Sequence, residues 1–150
     1  MTTGLLAAGA VAGRPDDPEY YRSLKQAPFA PPSWAFGPAW VVAKLGWSAA
    51  AVRAARTVQG RDRSLLIGLA AADAAVYVSF SYVYFRRRSP VLAAIWTTAD
   101  AVLTAVALPV LARNDRAAAA ALLPQAAWLS LATPVALYQA AANPDPIFTR

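Results

Sequence analysis

The sequence predicts an all-α membrane protein, a bundle of five transmembrane helices of which the first is short or truncated. Three observations lead there. Hydrophobic residues make up 58% of the 150 positions and charged residues only 15%, where a soluble domain carries about 25% charged. The mean hydropathy of +0.37 points the same way. Four stretches hold roughly 20 mostly apolar residues each, enough to cross about 30 Å of hydrocarbon as a helix. Short arginine clusters separate these stretches, and no polar face recurs every turn as it would on a soluble helix.

The elements follow in order. Residues 2–13, "TTGLLAAGAVAG", are apolar but short for a span. They read as a cut-down first helix, with no basic segment before them to mark a secretory signal. A polar, then proline-rich linker follows, "RPDDPEYYRSLKQAPFAPPS", and its prolines rule out a regular helix in the last part. The second helix is expected over residues 35–55, with Lys44 its only charge before Arg53. Residues 64–85 carry only Asp73, and residues 90–112 only Asp100. Residues 117–142 carry no charge, and Pro134 is placed to kink them. The whole chain, 1–150, reads as a single transmembrane domain.

The charge pattern excludes several functions. The net charge is +6, but its arginines sit between apolar stretches, which suits membrane-flanking loops and not nucleic acid. Orientation is undetermined by charge. Loops one and three carry Arg14, Arg22, Lys25, Arg86, Arg87 and Arg88, while loops two and four carry Arg53, Arg56, Arg61, Arg63, Arg113 and Arg116, a tie. There is no cysteine and no histidine. Disulfides, thiolate metal sites, the commonest general base and the usual haem ligand are absent with them. No catalytic group and no metal site are expected, and no cofactor is required.

An ionisable side chain within a span is expensive and usually faces the bundle interior. Helical spacing lines such groups up with aromatics. Trp40, Lys44 and Trp47 share a face, as do Asp73, Tyr77, Phe80 and Tyr84; Trp96 and Asp100 are four apart; Gln125, Trp128 and Ala132 form a further stripe. If the stripes converge, they enclose an aromatic interior suited to a flat, largely apolar ligand. The plainer reading makes Lys44 a partner of Asp73 or Asp100, and makes Trp34 and Trp47 interfacial anchors. A proton relay through Lys44, Asp73 and Asp100, serving a proton-coupled transporter, is the functional alternative.

The stretch "YYRSLKQAPFAPPSWAFGPAW" closely resembles the signature of the TspO/MBR family, the tryptophan-rich sensory proteins related to the mitochondrial translocator protein. That signature reads roughly WYxxLxKPxFxPPxWxFGPxW. Phe29, Pro31, Pro32, Trp34, Phe36, Gly37, Pro38 and Trp40 match it, with Tyr20 in place of tryptophan and Ala27 in place of proline. "VYVSFSYVYF" is similar to the family's LNxxWxxxFF, with Tyr77 for asparagine, Phe80 for tryptophan, and Tyr84 and Phe85 for the aromatic pair. "PQAAWLSLATPVA" is similar to PYLxWxxxATxLN, keeping Pro124, Trp128, Ala132 and Thr133.

The resemblance implies a five-helix membrane bundle whose first loop caps a pocket for a porphyrin. The loop's prolines stiffen that cap, and Pro38 would lie in the first turn or so of the second helix, where a missing amide is tolerated. By resemblance the pocket takes in Trp34, Phe36, Gly37, Trp40, Tyr77, Phe80, Phe85, Trp128 and Ala132. Lys44 stands where the family has tyrosine and would pair with a porphyrin propionate. The implied function is a membrane receptor or carrier for a tetrapyrrole (protoporphyrin IX or haem). The alternative carried by the resemblance is light-dependent porphyrin degradation. A homodimer in a bacterial cell membrane is the expected assembly, with the lipid bilayer and the hydrophobic ligand as partners.

Overall fold

A computed structural model describes residues 18–148, so the expected helix over 2–13 lies outside the described residues. The described residues form helices and no strand. A short helix, α1, covers Pro18–Ser23. Four long ones follow: α2, Ser33–Thr57; α3, Gly60–Ser81; α4, Pro90–Asn114; and α5, Arg116–Ala142. A π-helical turn, Tyr82–Arg86, continues α3. The stretches Gly60–Arg86, Pro90–Asn114 and Arg116–Ala142 are each long and apolar enough to cross a membrane. α2 has the same length class, 25 residues, but Lys44, its tryptophans and its glycines dilute its apolar character.

The ends of these helices follow from local chemistry. Pro32 sits at φ −57°, ψ 146°, and α2 starts directly after it. The helix therefore begins two residues before the expected 35, and Pro38 lies inside it and not in its first turn. Gly60 has φ +64°, a left-handed conformation that glycine adopts without a Cβ penalty. It turns the chain from α2 into α3 within two residues, Val58 and Gln59. Ser89 caps α4, its Oγ accepting from the Leu92 amide at 3.1 Å, with Pro90 at the first helical position. Asp115 caps α5 by accepting from the Ala117 and Ala118 amides at 3.0 and 3.1 Å. Connections this short force antiparallel neighbours.

Three layers fill the bundle. At the end near the α2–α3 turn, Trp47, Ala50, Ala54, Leu66, Ala107, Leu111, Ala118 and Leu122 form an apolar core built largely on alanine. Small side chains let the helices approach closely. α2 touches α5 so tightly at Gly46 that a Cβ there would run into the Ala121 carbonyl oxygen. The middle layer is polar and charged. The far layer is aromatic, with Leu24, Tyr84 and Ala93 buried and Tyr20, Tyr21, Phe80 and Phe85 packed on them. The outward faces are apolar: Val42, Leu45, Val52, Ile67, Val78, Ile95, Val102, Leu123 and Leu137 are all exposed. Apolar outside with charge inside is the arrangement a bilayer favours.

Ion pairs tie the helix ends together at the apolar-core end. Asp115 Oδ2 takes Arg53 Nε at 2.7 Å and the Thr57 hydroxyl at 2.8 Å, joining α2 to the start of α5. These contacts hold its carboxyl well down, at about 2. Asp62 accepts from Arg113 and Asn114, joining the start of α3 to the end of α4.

An aromatic chamber and a buried charge cluster

In the aromatic layer nine rings touch in one continuous network. Phe36 meets Tyr21 and Trp128, with centroids 6.1 and 5.3 Å apart. Trp128 stands edge-on to Trp40 at 6.0 Å. Trp40 reaches Tyr77 at 6.1 Å and Phe80 at 6.5 Å. Phe80 stacks on Tyr84 at 5.6 Å, and Tyr84 meets Tyr20 and Phe85 edge-on. The helical stripes thus converge: α2 supplies Phe36 and Trp40, α3 with its π turn supplies Tyr77, Phe80, Tyr84 and Phe85, and α5 supplies Trp128. Ala132 is buried one turn beyond Trp128. Edge-to-face contact dominates, as the ring quadrupole favours.

Tyr20 and Tyr21 join from α1, and periodicity gave no sign of this. Both precede the proline-rich loop, so no helical register relates them to α2 or α3. Burial pushes the Tyr20 phenol up to about 12, with the Asp145 carboxylate adding to the shift and Arg88 opposing it. Tyr21 is raised by burial as well. Both therefore remain protonated across the ordinary pH range.

Two expected site residues stand apart from the network. Trp34 is 75% exposed at the start of α2. Gly37 is exposed, with nothing within 4 Å of a built Cβ. Lys44 lies below the network and does not present a free ammonium to a propionate. Its Nζ sits 2.6 Å from Asp73 Oδ1 and 3.0 Å from Asp100 Oδ2, with only 2% of its side chain exposed. Its partners lie on the two neighbouring helices, so the pairing follows from helix packing. The same ammonium lies 5.4 and 5.2 Å from the ring centres of Trp40 and Tyr77. The cluster thereby forms the floor of the aromatic layer. Gln125 and Thr104 complete it, Gln125 Nε2 reaching Asp73 Oδ1, Asp100 Oδ1 and Thr104 Oγ1 at 2.8, 3.0 and 3.0 Å.

A groove of about 450 Å³ reaches Trp128 from the outside of the bundle, between α2 and α5. Pro38, Ala39, Val42, Pro124 and Ala127 line the rest of it. Trp128 is thus a shared wall, with the ring network on one side and the groove on the other. Its Nε1 is buried and has no acceptor among the described residues.

The first loop is fastened over the aromatic end by amides. The Lys25 amide donates to Asn143 Oδ1 at 2.7 Å, and Asn143 Nδ2 donates back to the Lys25 carbonyl at 3.1 Å. Gln139 Nε2 donates to Gln26 Oε1 at 2.6 Å, while Gln139 Oε1 accepts from the Tyr84 hydroxyl at 3.1 Å. Asp145 secures the chain beyond α5 to the start of α4. Burial raises its carboxyl, but the Ser89 hydroxyl and the Val91, Ile147 and Phe148 amides outweigh that and hold it below its ordinary value.

The sequence model of the TspO/MBR family matches residues 1–140. No curated protein matches the chain.

Proposed function

Since this chain belongs to the TspO/MBR family, we propose that it is a receptor or carrier that binds a tetrapyrrole at the aromatic end of its helical bundle. Membrane residence rests on the family and on three helices long and apolar enough to cross a bilayer. The proposed whole is a single five-helix transmembrane domain, with residues 2–13 as a short first helix and α2 as a span alongside α3, α4 and α5.

The observation that carries the tetrapyrrole reading is the nine-ring network with the unpartnered Trp128 Nε1 in its wall. A porphyrin is flat and apolar on both faces, so stacked and edge-on rings suit it. Its ring nitrogens and carboxylates give Trp128 Nε1 an acceptor. The anionic edge of the ligand would be met by Arg86, Arg87 and Arg88, which follow Phe85 directly. Arg88 already lies over the Tyr20 ring at 5.7 Å. The donor set favours a metal-free porphyrin over haem. The sequence has no histidine and no cysteine, and Lys44 is engaged by two carboxylates.

The test is a titration of purified protein with protoporphyrin IX in the dark, following tryptophan quenching and the Soret band. Saturable binding that weakens in Trp40→Phe and in Trp128→Phe is the expected result. Quenching that never saturates, or binding indifferent to both changes, overturns the proposal.

A further inference from the structure

We propose that Lys44, Asp73 and Asp100 form a binding site for one proton, shared by the two carboxylates in the middle of the bundle. The argument begins with charge. One ammonium touches two carboxylates, at 2.6 and 3.0 Å, and all three side chains are at most 2% exposed. Fully ionised, the set carries a net charge of −1 in the centre of an apolar bundle. An uncompensated buried charge is far more costly than a balanced set. A single proton on the carboxylate pair restores balance.

The neighbouring groups supply no other positive charge. α2 contributes Lys44; α3 contributes Asp73 and Tyr77; α4 contributes Asp100 and the Thr104 hydroxyl; α5 contributes only the uncharged Gln125. The arginines that flank the helices pair at the ends of the bundle, as Arg53 does with Asp115 and Arg113 with Asp62.

A second observation comes from the hydrogen bonds and not from the charge balance. Gln125 is fully buried, and its Nε2 is aimed at three oxygens although an amide nitrogen has two hydrogens. Its Oε1 has no donor, and neither does Asp73 Oδ2. Two buried acceptors of the cluster are therefore left without a hydrogen. Buried acceptors are normally satisfied, and a proton on a carboxyl oxygen supplies the missing donor. The step is simple protonation, with no electron transferred and no bond broken other than the one that delivered the proton.

Position gives the site a consequence. The Lys44 ammonium is divided between the carboxylates below and the Trp40 and Tyr77 ring faces above. Loss of the proton strengthens the downward pull on that cation, so proton occupancy is felt in the floor of the aromatic layer.

The test needs no porphyrin, so it stands or falls separately from the tetrapyrrole reading. The full chain, in lipid vesicles at neutral pH and carrying isotope-labelled aspartate, is examined by infrared spectroscopy. The expected spectrum has a protonated-carboxyl stretch that moves with the label, at the intensity of one group per chain. Asp73→Asn and Asp100→Asn should each abolish it, because one carboxylate and Lys44 already balance. Lys44→Met should double it, because two carboxyls then lack a cation. An unfolded chain exposes its carboxyls to water and loses the band, so the doubling cannot come from misfolding. A wild-type spectrum without the band, or a band that persists in both Asn variants, overturns the proposal.

Discussion

The indole of Trp128 stands edge-on to that of Trp40, with ring centres 6.0 Å apart and planes at 79°. This contact joins α5 to α2 and splits the tryptophans into two groups. Trp40 and Trp128 belong to the ring network, while Trp34 is 75% exposed outside it. Trp128→Phe should therefore raise the Kd for protoporphyrin IX about 2- to 12-fold, the equivalent of one aromatic pair at ~0.5–1.5 kcal/mol. Trp34→Phe should leave it within a factor of about 2, as surface substitutions usually do. Dark titrations of the two variants side by side check this, and a larger effect from Trp34 would place the site elsewhere.

Helix contact makes a second prediction. Gly46 faces the Ala121 backbone carbonyl, which has no room to withdraw. Gly46→Ala should push α2 from α5 and destabilise the bundle by ~1–3 kcal/mol, as overpacking typically does. Gly68 in α3 has open space around a built Cβ, so Gly68→Ala should stabilise by ~0.5–1 kcal/mol through the gain in helix preference. Thermal melts in one detergent would show opposite shifts in Tm.

The loop fastening gives a third. Gln139→Met leaves Gln26 Oε1 and the Tyr84 hydroxyl without the partners they have at 2.6 and 3.1 Å. Unpaired buried groups cost ~1–3 kcal/mol. That loss should fall on the first loop, so limited proteolysis within residues 24–32 should accelerate by about tenfold for each ~1.4 kcal/mol. Unchanged cleavage in the variant would mean that the loop is held by other contacts.

A fourth concerns acid. The Asp115 carboxyl is lowered from 3.8 to about 2 by the Arg53 and Thr57 contacts, which outweigh its burial. A folded value below the unfolded one means that the stabilisation is fully present above 3.8 and is lost as pH falls toward 2. Wild-type Tm should decline across that window. Asp115→Asn should start lower and decline less there, and an equal decline in both proteins would assign acid sensitivity to other carboxylates.

The helical class and most of its long elements are legible in the amino-acid pattern alone. Residues 64–85, 90–112 and 117–142 were legible as membrane-length helices, and each found a matching element because length and apolarity are local properties. The stripe Asp73, Tyr77, Phe80, Tyr84 was legible for the same reason. The boundary of α2 shifted to Ser33 because a helix starts where Pro32 releases it, not where the apolar run begins.

Which candidate partners meet is set by packing: the sequence offers Lys44 either Asp73 or Asp100, and the fold gives it both. Lys44 lies 29 residues from Asp73 and 56 from Asp100, and Gln139 lies 113 from Gln26. Periodicity relates residues along one helix face and carries no information about which face meets which. Packing chose Gln125 as the fourth member of the charge cluster, brought Tyr20 and Tyr21 into the ring network, and left Trp34 outside. Each outcome depends on where whole helices come to rest, and that is set by the sum of contacts such as Gly46 against Ala121, not by any single segment.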